Sequence, residues 1–66
     1  MDKEIINVAI QALDKEIANN PTAQLLKERG RLRMMMGDHE GASADLQQAA
    51  RMDPDLLAGL SGAFKA

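Results

Sequence analysis

Residues able to do chemistry are few in this chain, and their spacing is poor for it. His39 stands between Asp38 and Glu40. Neighbouring residues of a helix point apart, and the sequence holds no second histidine and no cysteine to complete a metal site. Asp14, Glu16, Glu40 and Asp45 form no pair spaced for acid–base work and read as surface charge. Ser43 and Ser61 lack a basic partner at a sensible position. The phosphate-cradling glycine patterns G-x-x-x-x-G-K and G-x-G-x-x-G are both missing from the sequence. These residues predict a protein that is not an enzyme and needs neither metal nor cofactor.

Two groups carry more information. Lys27, Arg29, Arg31 and Arg33 alternate along one segment. On a helix, residues 27 and 31 share one face and residues 29 and 33 share another. Immediately after them, Met34, Met35 and Met36 run in succession. Three consecutive helical residues cannot all point inward, so at least one methionine is expected to be partly exposed. Flexible, polarizable methionine side chains suit an adaptable protein contact. The competing reading is a core pair with one incidental neighbour, and for the basic residues a solvated face whose Arg stems cover apolar surface.

The elements that position these residues follow from periodicity and punctuation. Ile6, Ile10, Leu13 and Ile17 recur at helical spacing, widened by Ile5, Ala9 and Ala12, and predict a first helix from about Asp2 to Asn19. Val8 lies off the centre of that stripe. Asn20-Pro21 stops it, because proline disfavours helical geometry in the residue before it. A second helix is expected from about Thr22 to Met36, with Pro21 suited to its first turn. Leu25, Leu26 and Leu32 supply its apolar side chains, and Gly30 in its middle suggests a close approach by another helix. Gly37 reads as a C-terminal stop and Asp38 as the N-cap of a third helix, from about His39 to Met52. Ala42, Leu46, Ala49 and Ala50 line one side of it. After Asp53-Pro54, a fourth segment from about Asp55 to Phe64 carries Leu56, Leu57, Leu60 and Phe64, weakened by Gly59 and Gly62. Links of a few residues make successive helices antiparallel neighbours.

The whole is 66 residues, 45% apolar, with one aromatic residue and a net charge of −2. That size allows a single domain, here 1–66, which buries only about 60% of its unfolded surface and is marginal alone. The scarcity of β-branched and aromatic residues favours helices over strands. Without cysteine, disulfides cannot reinforce so small a core, which leaves oligomerisation as the means of support. The mild charge gives no reason to expect nucleic acid or acidic membranes as partners. Met1-Asp2-Lys3-Glu4 does not open like a secretory signal, and the apolar runs are too short to span a bilayer. A cytoplasmic location is the expectation.

The stops Asn20-Pro21 and Asp53-Pro54 lie one repeat length apart to within a residue, taking the ~34-residue tetratricopeptide period. Between them, Ala23 to Pro54 resembles one tetratricopeptide repeat. Leu26 falls at the early apolar position of its first helix, Gly30 at the small residue one turn later, and Gly37 in the inter-helix turn. Ala42, Leu46 and Ala49 match the second helix, and Pro54 the closing proline. Arg29 or its neighbours, and Arg33, stand where the family places aromatic side chains, so the repeat is degenerate. The first segment resembles a lone second helix of a preceding repeat, with Glu16 where a small residue belongs.

The resemblance implies an all-α, TPR-like superhelix fragment of about four helices in antiparallel hairpins. It also implies a non-enzymatic protein–protein interaction module. In such arrays the first helix of each repeat lines a groove, which would turn Gln24, Lys27, Arg31 and Met34 toward a protein or peptide ligand. Met35 joins them through the methionine run. Lys27 and Arg31 would then clamp a carboxylate. Arrays need at least ~3 repeats for stability, so a homo-oligomer, a dimer in the simplest case, is expected to cover the open apolar face. The alternative is a small helix-turn-helix-type accessory protein contacting nucleic acid, with a recognition helix through Leu56 and Leu60. Its start at Asp53-Pro54-Asp55 would repel phosphate, and the sequence pI of about 5.1 argues the same way.

Overall fold

The computed structural model describes residues 2–56, and over that range the chain is all-α. Helix α1 spans Lys3–Asn19, α2 spans Ala23–Met35 and α3 spans His39–Met52. A fourth helical segment begins with a turn at 54–56. The remainder of the expected fourth helix, including Leu57, Leu60 and Phe64, lies outside the described residues. Among the described residues no helix is long and apolar enough to cross a membrane.

Each helix starts on a side-chain cap. Asp2 accepts from the Glu4 N–H at 3.0 Å, Thr22 Oγ1 from Leu25 N–H at 3.1 Å, and Asp38 from Gly41 N–H at 3.0 Å. Such a bond satisfies an N–H that the helix leaves without a partner, and removing it costs about 1 kcal/mol. The second helix departs slightly from expectation. Pro21 precedes the cap and is not part of the first turn, because the Thr22 hydroxyl takes the capping position in extended backbone.

The α2–α3 turn is closed by a Schellman arrangement. Gly37 N–H donates to Met34 C=O at 3.0 Å, and Asp38 N–H to Arg33 C=O at 2.9 Å. Gly37 holds φ at +87°, where any side chain would strain the backbone. Two adjacent residues thus end one helix and cap the next, and the hairpin angle is set locally.

Packing is closest between α2 and α3. Among the described residues Leu26 is the largest wholly buried side chain, and Ala42 and Ala49 on α3 are wholly buried too. A Cβ at Gly30 would sit 3.1 Å from Leu46 Cγ and 3.3 Å from the Ala42 carbonyl oxygen. The missing side chain is therefore what lets the two helices meet. Helix α1 lies against α2 and contributes one buried side chain, Ile6; Ile10, Leu13 and Ile17 are half-buried. Ala12, placed on the apolar stripe by its spacing, is exposed.

Candidate functional site

Two arrangements of side chains stand out, one buried and one exposed. The buried one centres on Asp45, which is only 3% exposed among the apolar residues of α3. Arg29 grips its carboxylate with two N–H groups, Nε to Oδ2 at 2.9 Å and Nη2 to Oδ1 at 2.7 Å. Arg33, one turn further along α2, donates from Nη1 to Oδ2 at 3.0 Å. The Arg29 guanidinium also reaches Asp14 on α1 at 2.9 Å. Arg33 Nε lies 3.9 Å from Asp38 Oδ2 at the hairpin turn. One guanidinium therefore touches all three helices.

The hydrogen bond to Asp45 holds the Arg29 guanidinium above its ordinary pKa; burial pulls the other way, and the bond to Asp14 adds to the rise. Among the described residues, every buried side-chain nitrogen and oxygen has a partner. The cluster carries two guanidinium charges matched by the Asp45 and Asp14 carboxylates, with Asp38 at its edge. With its buried atoms mutually satisfied, it has the chemistry of a structural joint. Nothing in it is poised to transfer a proton or hold a substrate.

This cluster corrects the reading of Asp45 as simple surface charge; Asp14 is exposed as expected and pairs with Arg29. Asp45 sits three residues after Ala42 and four before Ala49, on the stripe that faces α2. An acid at that position is buried by the helix period and must find a cation. Arg29 and Arg33, where the resemblance puts aromatic side chains, are that cation. Each irregularity shows in the sequence by itself; their pairing across two helices does not.

The exposed arrangement lies on α2 where it borders α3. Gly30, Arg31, Met34, Met35 and Leu46 line a depression of about 280 Å³ that is open to solvent. Its floor is Gly30 and Leu46, the same close approach that builds the hairpin. Met34 and Met35 are 45% and 50% exposed, and Met36 is half-buried. The methionine run thus divides as its spacing requires. His39 Nδ1 lies 3.1 Å from Met34 Sδ, bracing that side chain at the lip. Arg31 pairs with Glu28 at 3.5 Å, but the two side chains are 67% and 41% exposed, so the pair is weak and exchangeable.

Of the residues singled out from the sequence, Arg31, Met34 and Met35 converge on this depression. Gln24 is exposed on the first turn of α2 and Lys27 is half-buried; neither lines it. A second apolar patch lies on α1, where Ile5 and Val8 are 63% and 64% exposed beside Glu4. The broad apolar face of α1 pointed to this patch. Among the described residues no group of three or more His, Cys, Asp or Glu side chains is placed to share a metal ion. Comparison of the chain with family models, with curated proteins and with solved structures finds no match.

Proposed function

We propose that this chain is a non-enzymatic protein–protein interaction module that self-associates through a tetratricopeptide-like helical surface. The observation that carries the reading is the division of its apolar side chains. Among the described residues, the buried hydrophobic ones are Ile6, Leu26, Ala42 and Ala49, whereas Ile5, Val8, Met34, Met35 and Met52 stand exposed. A 66-residue domain is marginal alone, and association that covers these exposed side chains strengthens it by mass action. The repeat-like burial of Leu26, Gly30, Ala42 and Ala49 in one hairpin supports the tetratricopeptide likeness. Among the residues chosen for protein binding, Arg31, Met34 and Met35 form the contact surface; Gln24 and Lys27 flank it on the same helix. A cytoplasmic setting belongs to the same reading.

The nucleic-acid alternative gains nothing from the geometry. Arg29 and Arg33, two of the four basic residues that alternate along α2, spend their charge on Asp14, Asp38 and Asp45 and are not offered to phosphate. The deciding experiment is solution mass by sedimentation across a concentration series reaching the millimolar range. A mass rising above that of one chain is expected. A single-chain mass at every concentration would overturn the self-association.

A further inference from the structure

We propose that self-association is head-to-tail, with the α1 strip of one copy (Glu4, Ile5, Val8) lying parallel to the α2 strip of the next (Arg31, Met34, Met35). The inference rests on the self-association proposed above and specifies its interface. Both strips are exposed, and they sit on different helices with no residue in common. One copy can therefore use both at once, toward two different neighbours. Used toward two different neighbours they make a heterologous contact, which closes into a ring or continues as an open chain; a wild type that stops at a two-chain dimer would mean that both strips pair between the same two copies and would overturn the head-to-tail arrangement.

The register comes from matched spacing and opposite charge. On α1 the order from N- to C-terminus is acid then apolar: Glu4, then Ile5, then Val8 four residues after the acid. On α2 it is base then apolar: Arg31, then Met34, then Met35 four residues after the base. Four residues rise about 6 Å along a helix. Laid parallel, the strips place Glu4 opposite Arg31 and Val8 opposite Met35 at the same rise. Laid antiparallel, they put each charge against an apolar side chain, which strips water from the charge without giving it a partner.

The shapes agree with this. The α2 strip borders a depression floored by Gly30 and Leu46, with flexible methionines at its edge. The α1 strip offers Ile5 and Val8, branched at Cβ and stiff, which lose little freedom on insertion. The loose pairing of Arg31 with Glu28 leaves its guanidinium free to change partner. Two strips of this size make a weak contact, so assembly is expected to be dilution-sensitive.

The test is a complementation experiment on the full chain. Val8→Glu spoils the α1 strip and leaves the depression intact; Met35→Glu does the reverse. Circular dichroism confirms that both variants remain helical. Each alone is expected to sediment as a monomer where the wild type associates. Mixed in equal amounts they are expected to form a dimer that grows no further, since one good interface survives and the other would oppose two glutamates. Separately, Glu4→Arg and Arg31→Glu are each expected to weaken association about tenfold, and the double exchange to restore it. A mixture that stays monomeric, or variants that associate alone as the wild type does, overturns the head-to-tail contact while the self-association stands. A wild type that is monomeric throughout overturns both.

Discussion

The α2–α3 hairpin and helix α1 are held by different means. The hairpin buries Leu26, Ala42 and Ala49, closes its turn with Gly37 and locks Asp45 between two arginines. Helix α1 buries Ile6, and one ion pair, Asp14 with Arg29, ties its polar side down. The hairpin turns its small and charged residues inward, while α1 leaves two large apolar residues in water. The difference teaches that the apolar count of a helix does not rank its attachment. What ranks it is how much of that surface finds a complementary face within the chain. The hairpin has a sealed inner seam and leaves flexible methionines outside it, whereas α1 leaves the stiff Ile5 and Val8 exposed on a helix with a single buried anchor.

Removing the Asp45 carboxylate should break this contrast most severely. Asp45→Ala leaves two guanidiniums without their shared partner, a loss of about 3–5 kcal/mol for a buried pair. A domain of this length has a total stability of only about 3–10 kcal/mol, at 0.05–0.15 per residue. The variant is expected to be largely unfolded by far-ultraviolet circular dichroism at room temperature. Replacing the trio together, by Asp45→Leu with Arg29→Met and Arg33→Leu, is expected to restore a cooperative melt, because an apolar trio needs no desolvation of charge. A triple variant as unfolded as Asp45→Ala would show that the charges do more than fill space.

Truncating the α1 anchor comes next. Ile6→Ala removes its one buried side chain and should cost about 2 kcal/mol, the low end for a buried Ile, because the site is near a helix end and can relax. Native-state hydrogen exchange is expected to quicken across α1 while amides of α2 and α3 keep their protection. Equal acceleration in all three helices would mean that α1 and the hairpin open as one unit.

Smaller effects sharpen the boundary. Asp14→Asn loosens the tie between α1 and Arg29 and, since Asp14 is 47% exposed, should cost less than about 1 kcal/mol. Its readout is faster exchange in α1 alone, with the hairpin melt unchanged. The smallest effect concerns alkali. Among the described residues, every ion pair uses arginine, and Arg29 has its pKa raised in the folded chain. A raised cation contributes stability that is fully present below its unfolded pKa and is lost only as pH climbs through the folded value. Both lie above the usual working range, so the melting temperature is expected to stay level from pH 7 to about 10. A fall over that interval would point to a titrating lysine in the interface between helices.

Much of the fold could be read from the residues. The punctuation at Asn20-Pro21, Gly37-Asp38 and Asp53-Pro54 marks the helix ends because each acts through its own backbone geometry. Gly30 announced a close helix contact, and a Cβ there would crowd Leu46. The exposed methionines were legible from spacing alone. The ion cluster was not, for a physical reason. Its members are 12 to 16 residues apart in sequence and meet only once α2 and α3 are paired. Arg29 and Arg33 also erase the apolar stripe of α2, so that helix shows almost no segregation of polar and apolar residues even though its inner face is well defined. The resemblance puts Gln24 and Lys27 with Arg31 on a groove face, whereas the depression is made at the C-terminal half of α2, where α3 supplies Leu46.

The charge at Asp45 also has a consequence for alignment. Gly30, Ala42 and Ala49 make a smooth contact, and smooth surfaces allow one helix to slide along another by a turn, about 5.4 Å. Arg29 and Arg33 stand one turn apart, and Asp45 is gripped by both at once only at a single setting. A slide in either direction would draw its carboxylate away from one guanidinium and leave a buried charge half-satisfied. The residue works as a detent, a notch that stops travel where small side chains alone would let it run on. In the apolar triple variant the notch is gone. Spin labels at the exposed Gln24 and Gln48 should then report a broadened spread of distances where the wild type gives one.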